Sequence, residues 1–302
     1  MQKNPFSLLD FLGYVFPGAF GILVIYFIYS NPELRGLDEF IYACQNVYND
    51  VKVESSIEST LFFMLLSYVI GHFIAYLSSI TVENFAVWLY GYPSDFLLGQ
   101  EDDSKSTRTC RVFTTYKTRY FLRFNRDDII NVIYANIWRS LVGFFLMPIL
   151  LCSIFIGKIL AVERIYIKKL DDDLISSIYA HSFVLSNFLG YYSGDRETDF
   201  HRVIHHYEYE QQPNHARTMD NYVALYDFLR SICLIFNCLF LYLFFVVALP
   251  SIDFSMKFDS GLILMLCSVM LITYIFFMSF MKFYRRYTLE NFMCLLIDQS
   301  YR

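Results

Sequence analysis

Tyr68, His72, Tyr76, Ser79 and Glu83 recur at steps of three and four residues, so on a helix they form one polar seam that ends in a carboxylate. The seam runs down the charge-free stretch Thr60–Ile80. A titratable group at that depth in hydrocarbon is costly and usually faces protein or water. His72 can relay protons or act as a pH-sensitive gate, because modest changes in surroundings carry an imidazole through the physiological range. It can equally be a neutral ring hydrogen-bonded to Tyr68 or to a neighbouring helix.

Three other constellations carry chemical meaning. Gly13, Pro17 and Gly21 fall at i, i+4 and i+8, with Gly18 beside them, and give a smooth helix face that Pro17-Gly18 should kink; it serves either a pore hinge or tight helix packing. Residues 104–126 alternate Lys105, Arg108, Arg111, Lys117, Arg119, Arg123 and Arg126 with Phe113, Tyr116, Tyr120, Phe121 and Phe124, with no acid among them. Cations beside aromatic faces suit anionic lipid, and they also suit a nucleotide or oligonucleotide ligand or a partner protein. Glu197, His201, His205 and Glu208 share one helical arc and could converge on a metal, although H-x-x-x-H without a glutamate after the first histidine is not the zincin motif. No Walker loop or Rossmann glycine pattern occurs, no catalytic set stands out, and no cofactor is expected.

The elements that must position these residues are membrane spans. Five stretches contain no Asp, Glu, Lys or Arg: Phe11–Tyr29, Thr60–Ile80, Ser140–Gly157, Ser231–Leu249 and Gly261–Met281. At about 1.5 Å per residue, each covers most or all of a ~30 Å hydrocarbon core. The 56% hydrophobic content, with 32 Phe and 25 Tyr, fits helices that meet lipid and rings that populate its interfaces. The first run is too long for a signal-peptide core and should remain as an anchor. Seven cysteines without a C-x-x-C pair indicate neither a disulfide framework nor a zinc knuckle.

The fold expected is therefore an all-α polytopic membrane protein with five clear spans, one marginal segment over Leu174–Tyr192, and cytoplasmic helical extensions. Its regions are a two-span hairpin (1–80), a basic-aromatic segment (81–139), a membrane segment pair (140–192), an amphipathic region (193–230), a second hairpin (231–281) and a tail (282–302). Residues 30–59 carry six acids against Arg35 and Lys52, whereas 104–126 is wholly basic, so the first loop is outside and the second inside. Five simple spans would leave Lys282, Arg285 and Arg286 on the wrong side. Six crossings with both termini cytoplasmic remove the conflict, and so does a re-entrant third segment broken at Pro148.

Phe6-x3-Asp10-Phe11-Leu12-Gly13-Tyr14-x2-Pro17-Gly18, then Gly71-His72-x4-Leu77-Ser78-Ser79-x3-Glu83 and Gly91-Tyr92-Pro93, resemble bacterial membrane proteins associated with antiphage defence, of the Hailong-type membrane effector family. The resemblance covers roughly the first hundred residues. It implies an oligomeric effector in the bacterial inner membrane, held silent by a partner or nucleotide-derived ligand and opened on infection to disrupt the membrane as a channel or pore. An integral-membrane enzyme acting on lipid or a membrane-bound substrate, through His72, Glu83 or the His201–Glu208 stripe, is the alternative. A homo-oligomer, the bilayer, and a nucleotide or cytoplasmic sensor protein are the expected partners.

Overall fold

The computed structural model describes residues 10–30, 41–46, 57–99, 126–157, 159, 166–189, 200–211, 213–248 and 260–297. Every regular element among them is helical. A π turn, Phe11–Val15, leads into α1 (Phe16–Ser30). Helix α2 (Ile57–Ser78) passes through a second π turn, Ser79–Glu83, into α3 (Asn84–Tyr90) and α4 (Pro93–Leu97). There follow α5 (Arg126–Phe145), α6 (Met147–Cys152), α7 (Asp172–Phe188), α8 (Phe200–Gln211), α9 (Pro213–Tyr242) and α10 (Ser260–Ile297). Among the described residues four helical stretches are long and apolar enough to cross a membrane: Phe11–Ser30, Ile57–Leu97, His215–Phe245 and Ile263–Ile297.

The third charge-free run is not a fifth straight span. Asn136–Phe145 and Met147–Gly157 meet at 81°. Pro148 has no N–H to extend the helical ladder, and Leu146 leaves helical geometry just before it. The Phe145 carbonyl that the break strands accepts a hydrogen bond from the buried Asn237 side chain at 2.9 Å. Before the bend, the Arg139 guanidinium lies over the Trp88 ring. After it, Ser153 approaches the Tyr90 hydroxyl at 3.4 Å, and the Leu170 amide donates to the Leu97 carbonyl. Both limbs thus lead back to the end of the bundle marked by α3 and α4.

The marginal segment is also placed differently from expectation. Leu174–Tyr192 yields α7, which is not among the helices long and apolar enough to cross. Its Ile178 and Leu185 are buried against Phe96, Leu97, Ile204, Phe292 and Leu295, in a core built by α4, α7, α8 and the end of α10. Ser176, Ser177 and Ser182 return their hydroxyls to carbonyls of their own helix, which satisfies them without help from neighbouring spans.

Helices α9 and α10 form an antiparallel spine. Tyr222 meets Phe283, Tyr226 meets Phe280, and Phe236 stacks on Phe276 at 5.4 Å. At 1.5 Å per residue, the 30 residues of α9 span about 45 Å and the 38 of α10 about 57 Å, well beyond the membrane core. Both overshoot at the same end, and that end carries the α4–α7–α8 core. Helix α1 runs in the same sense as α9, since Phe16 meets Phe228, Phe20 meets Phe236, and Phe27 packs with Leu239, Phe240 and Leu243. Gly91, at φ +83°, ends α3 in a conformation that side chains avoid, and Pro93 then opens α4.

Helix α1 crosses α2 at glycines. A Cβ on Gly18 would overlap the Ser67 carbonyl, and one on Gly71 would overlap the Tyr14 carbonyl. Gly21 is limited only by the Ile74 side chain, and Gly13, though buried, has open space where its Cβ would be. Pro17 leaves the helix intact: the missing N–H is absorbed by the π turn ahead of it, where the Phe16 amide reaches back to the Phe11 carbonyl. Gly18→Leu or Gly71→Val therefore pushes backbone against backbone, at or beyond the upper end of the ~1–3 kcal/mol usual for overpacking, whereas Gly13→Ala is tolerated. Thermal unfolding in detergent, followed by circular dichroism, should show a large drop in midpoint for the first two and little change for the third.

Candidate functional site

The polar seam does not continue down one face as regular helical spacing predicts. A π turn takes one extra residue per turn and so rotates all that follows by about 100°. With this turn at Ser79–Glu83, the seam divides. Tyr68, His72 and Tyr76 remain on the outer side of α2, while Ser79 and Glu83 join a cluster facing α9.

On the outer side, His72 is exposed and stacks on Tyr14 at 3.9 Å, with the Tyr68 ring edge-on at 4.5 Å. Tyr76 is 65% exposed. Counting along α2 from Glu83, His72 lies about 16 Å into the apolar zone and Tyr76 about 10 Å. His72 and Tyr76 are thus exposed within the charge-free stretch, with Tyr68 half-buried beside them.

The inner half is an ion cluster. Arg230, only 6% exposed, pairs through Nη1 with Glu83 and through Nη2 with Asp227 at 2.7 Å. Its Nε donates to Ser78 Oγ at 3.2 Å, and Ser78 in turn donates to the Ala75 carbonyl. Ser79 donates to Glu83 at 3.1 Å, and the Tyr226 ring lies 6.0 Å from the guanidinium carbon. Two carboxylates against one permanently charged guanidinium leave a formal excess of one negative charge. The cluster fastens α2 to α9 and cannot itself exchange protons through arginine. Sequence spacing singled out Glu83 but not its partners. The available signal was an arginine immediately before the charge-free run Ser231–Leu249, an aspartate three residues earlier on the same helix, and a glutamate just past the run of α2.

A third group lies in the core formed by α4, α7, α8 and the end of α10. His205 Nδ1 is 3.3 Å from Asn291 Oδ1, and its ring nitrogens are 3.1–3.2 Å from the Tyr287 hydroxyl. Burial is the main cause that holds this imidazole below the usual histidine range. The Asn291 bond opposes it, His206 adds to it, and Asp220 opposes it again. Of the proposed metal stripe, Glu197 lies outside the described residues, as do the side chains of His201 and Glu208. Among the described residues no group of three or more potential ligands assembles. Lys105, Arg108, Arg111, Lys117, Arg119 and Arg123 also lie outside them, as does the Arg126 side chain.

Two outcomes are expected. Arg230→Gln strands two carboxylates, a loss of about 3–5 kcal/mol, while Arg230→Met combined with Glu83→Gln and Asp227→Asn recovers most of it, read as unfolding midpoints. The depressed His205 pKa means that the docked α8 penalises the imidazolium. Stability from this contact is complete above the ordinary histidine pKa and is lost as pH falls through the lowered folded value. Hydrogen exchange over 200–211, corrected for intrinsic rates, should accelerate between pH 8 and 5 in the parent and stay flat in His205→Phe. No family model, curated protein or solved structure matches the chain.

Proposed function

We propose that the chain is the subunit of an oligomeric membrane conduit, an effector that collapses the potential of a bacterial inner membrane when released by a partner or nucleotide-derived signal. The observation that carries this reading is the exposure of His72 and Tyr76 near mid-membrane. Against lipid tails such groups are costly; against a second copy or a file of water they are not. The interior of a single chain is filled by Phe85, Leu146, Ile149, Cys233 and Phe277, among others, so a water path must run between copies. Cyclic assembly would bring several α2 faces around one axis, with the rings of Tyr68 and Tyr76 and the apolar residues between them as a dewetting gate.

Topology supports the same reading. With the α5–α6 pair re-entrant, four crossings place residue 10, Arg139, Lys168, Lys169, Lys282, Arg285 and Arg286 on one side, which the charge rule makes cytoplasmic. The same charge rule, applied to the sequence of 104–126, assigns this basic-aromatic segment to that side, where a nucleotide or sensor protein would meet it. An enzyme acting through a carboxylate in the membrane zone would need that acid free, yet Glu83 is engaged by Arg230.

Unregulated expression in a bacterium should then depolarise the inner membrane, seen with a voltage-sensitive dye. Gly71→Val should abolish the signal at equal membrane insertion, and His72→Phe should change its size by replacing a polar ring of the proposed water path with an apolar one. A parent chain that leaves the potential intact, even with a trigger and cognate partner supplied, would remove the conduit reading in favour of an enzyme or anchor.

A further inference from the structure

Arg285 is held by a carbonyl and not by a carboxylate. It lies four residues past the charge-free run Gly261–Met281, where α10 leaves the apolar zone. The side chain is half-buried, and its Nη2 donates to the Lys168 carbonyl at 3.1 Å. That bond orients the guanidinium but leaves its full charge standing. Arg230, by contrast, gathers two carboxylates, and Lys169 has Asp172. Among the described residues no acid pairs with Lys282, Arg285 or Arg286.

Helical geometry gathers further cations here. Lys282, Arg285 and Arg286 fall at i, i+3 and i+4 on one face of α10, and the exposed Lys168, whose backbone meets Arg285, adds a fourth within side-chain reach. The same face continues into the membrane as an apolar stripe. At 3.6 residues per turn, Leu264, Leu271, Ile275, Lys282 and Arg286 share an arc of about 60°, and the three apolar side chains are exposed. From Leu271 to Lys282 is about 16 Å along the axis, half of the ~30 Å hydrocarbon core.

We infer that Lys282, Arg285 and Arg286, with Lys168, hold the phosphate of an anionic phospholipid, whose acyl chain lies along Leu271 and Ile275 in the leaflet at this end of the bundle. Guanidinium groups present paired N–H donors that match phosphate oxygens, and ammonium groups add point charge. A zwitterionic lipid carries its own ammonium and leaves the excess positive charge in place. A soluble phosphate ester offers the same head chemistry but makes no use of the stripe. Only an anionic lipid answers both the unneutralised cations and the exposed leucine and isoleucine on one helix face.

The full chain, purified in detergent, is titrated with phosphatidylglycerol, phosphatidylcholine or water-soluble glycerol phosphate, and adducts are counted by native mass spectrometry. A first phosphatidylglycerol should bind about tenfold more tightly than phosphatidylcholine. Arg285→Gln should weaken it about tenfold, Arg285→Lys by less, and Lys282→Gln combined with Arg286→Gln by at least as much as Arg285→Gln. Arg35→Gln removes one cation from the loop that the charge rule places on the opposite side, and should leave binding unchanged. Equal affinity for the two lipids would overturn the assignment, as would losses in the α10 variants no larger than in Arg35→Gln. Glycerol phosphate binding as tightly as phosphatidylglycerol would overturn the lipid in favour of a soluble phosphate, and crosslinks that place a second copy over Leu271 and Ile275 would overturn it in favour of a protein contact. Unfolding midpoints establish that each variant is folded, and the exposed pair Lys282 and Arg286 keeps the test decisive should Arg285→Gln fail to fold.

Discussion

Arg230 is the constraint from which the rest follows. It is a permanent cation, nearly sealed from solvent, one residue before a nineteen-residue charge-free run, Ser231–Leu249. Left alone at that position it would cost several kcal/mol, so its place in the bundle exists only if carboxylates come to it. Asp227 arrives on the same helix, three residues away, but Glu83 must be delivered by α2. That delivery fixes the register between α2 and α9. It also requires the π turn at Ser79–Glu83 that rotates the glutamate inward while Tyr68, His72 and Tyr76 stay outside.

Two kinds of physics hold the two ends of the molecule. Within the apolar zone there is no hydrophobic gain from helix contact, because lipid tails are as apolar as leucine. Cohesion there comes from close approach at Gly18 and Gly71 and from polar ties such as Asn237 to the Phe145 carbonyl and Cys233 to the Thr273 carbonyl. Beyond the ion cluster, burying Phe96, Ile178, Ile204 and Phe292 follows ordinary water-driven burial, with fully buried side chains of this size contributing about 1.5–3 kcal/mol each. Arg230 lies where one regime gives way to the other, and Tyr226, in contact with both Arg230 and Tyr287, links the two ends through side chains.

The helical membrane class was legible in the sequence because charge-free length reports it directly. The polar seam was legible in composition but not in direction: a period of 3.6 residues cannot register a π turn, and so Glu83 was assigned to the face of His72. The α5–α6 bend was signalled by Pro148, yet a straight span satisfied the same hydropathy. The α7 segment read as a marginal span because its hydroxyls could be counted but not seen returning to their own carbonyls. Gly13 and Gly21 were conspicuous by spacing, whereas the tight crossing uses Gly18 against Ser67 and Gly71 against Tyr14, a pairing between helices that no single-helix pattern contains. The partners of Glu83 were hidden for the same reason, since the pair joins residues 147 positions apart.

What remains of α2 on the outside is His72 and Tyr76, exposed among the described residues, and the proposed conduit between copies rests on that exposure combined with a packed interior. The most direct test is the side of α2 that water reaches. In assembled protein in lipid vesicles, single cysteines at 68, 72 and 76 are compared with cysteines at 62, 66 and 73, which share a different face of the helix, for reaction with a membrane-impermeant thiol reagent, with the parent chain as background for its seven native cysteines. The account predicts labelling at the first three positions and protection at the second three. Equal protection at all six, in protein shown to conduct, would contradict it.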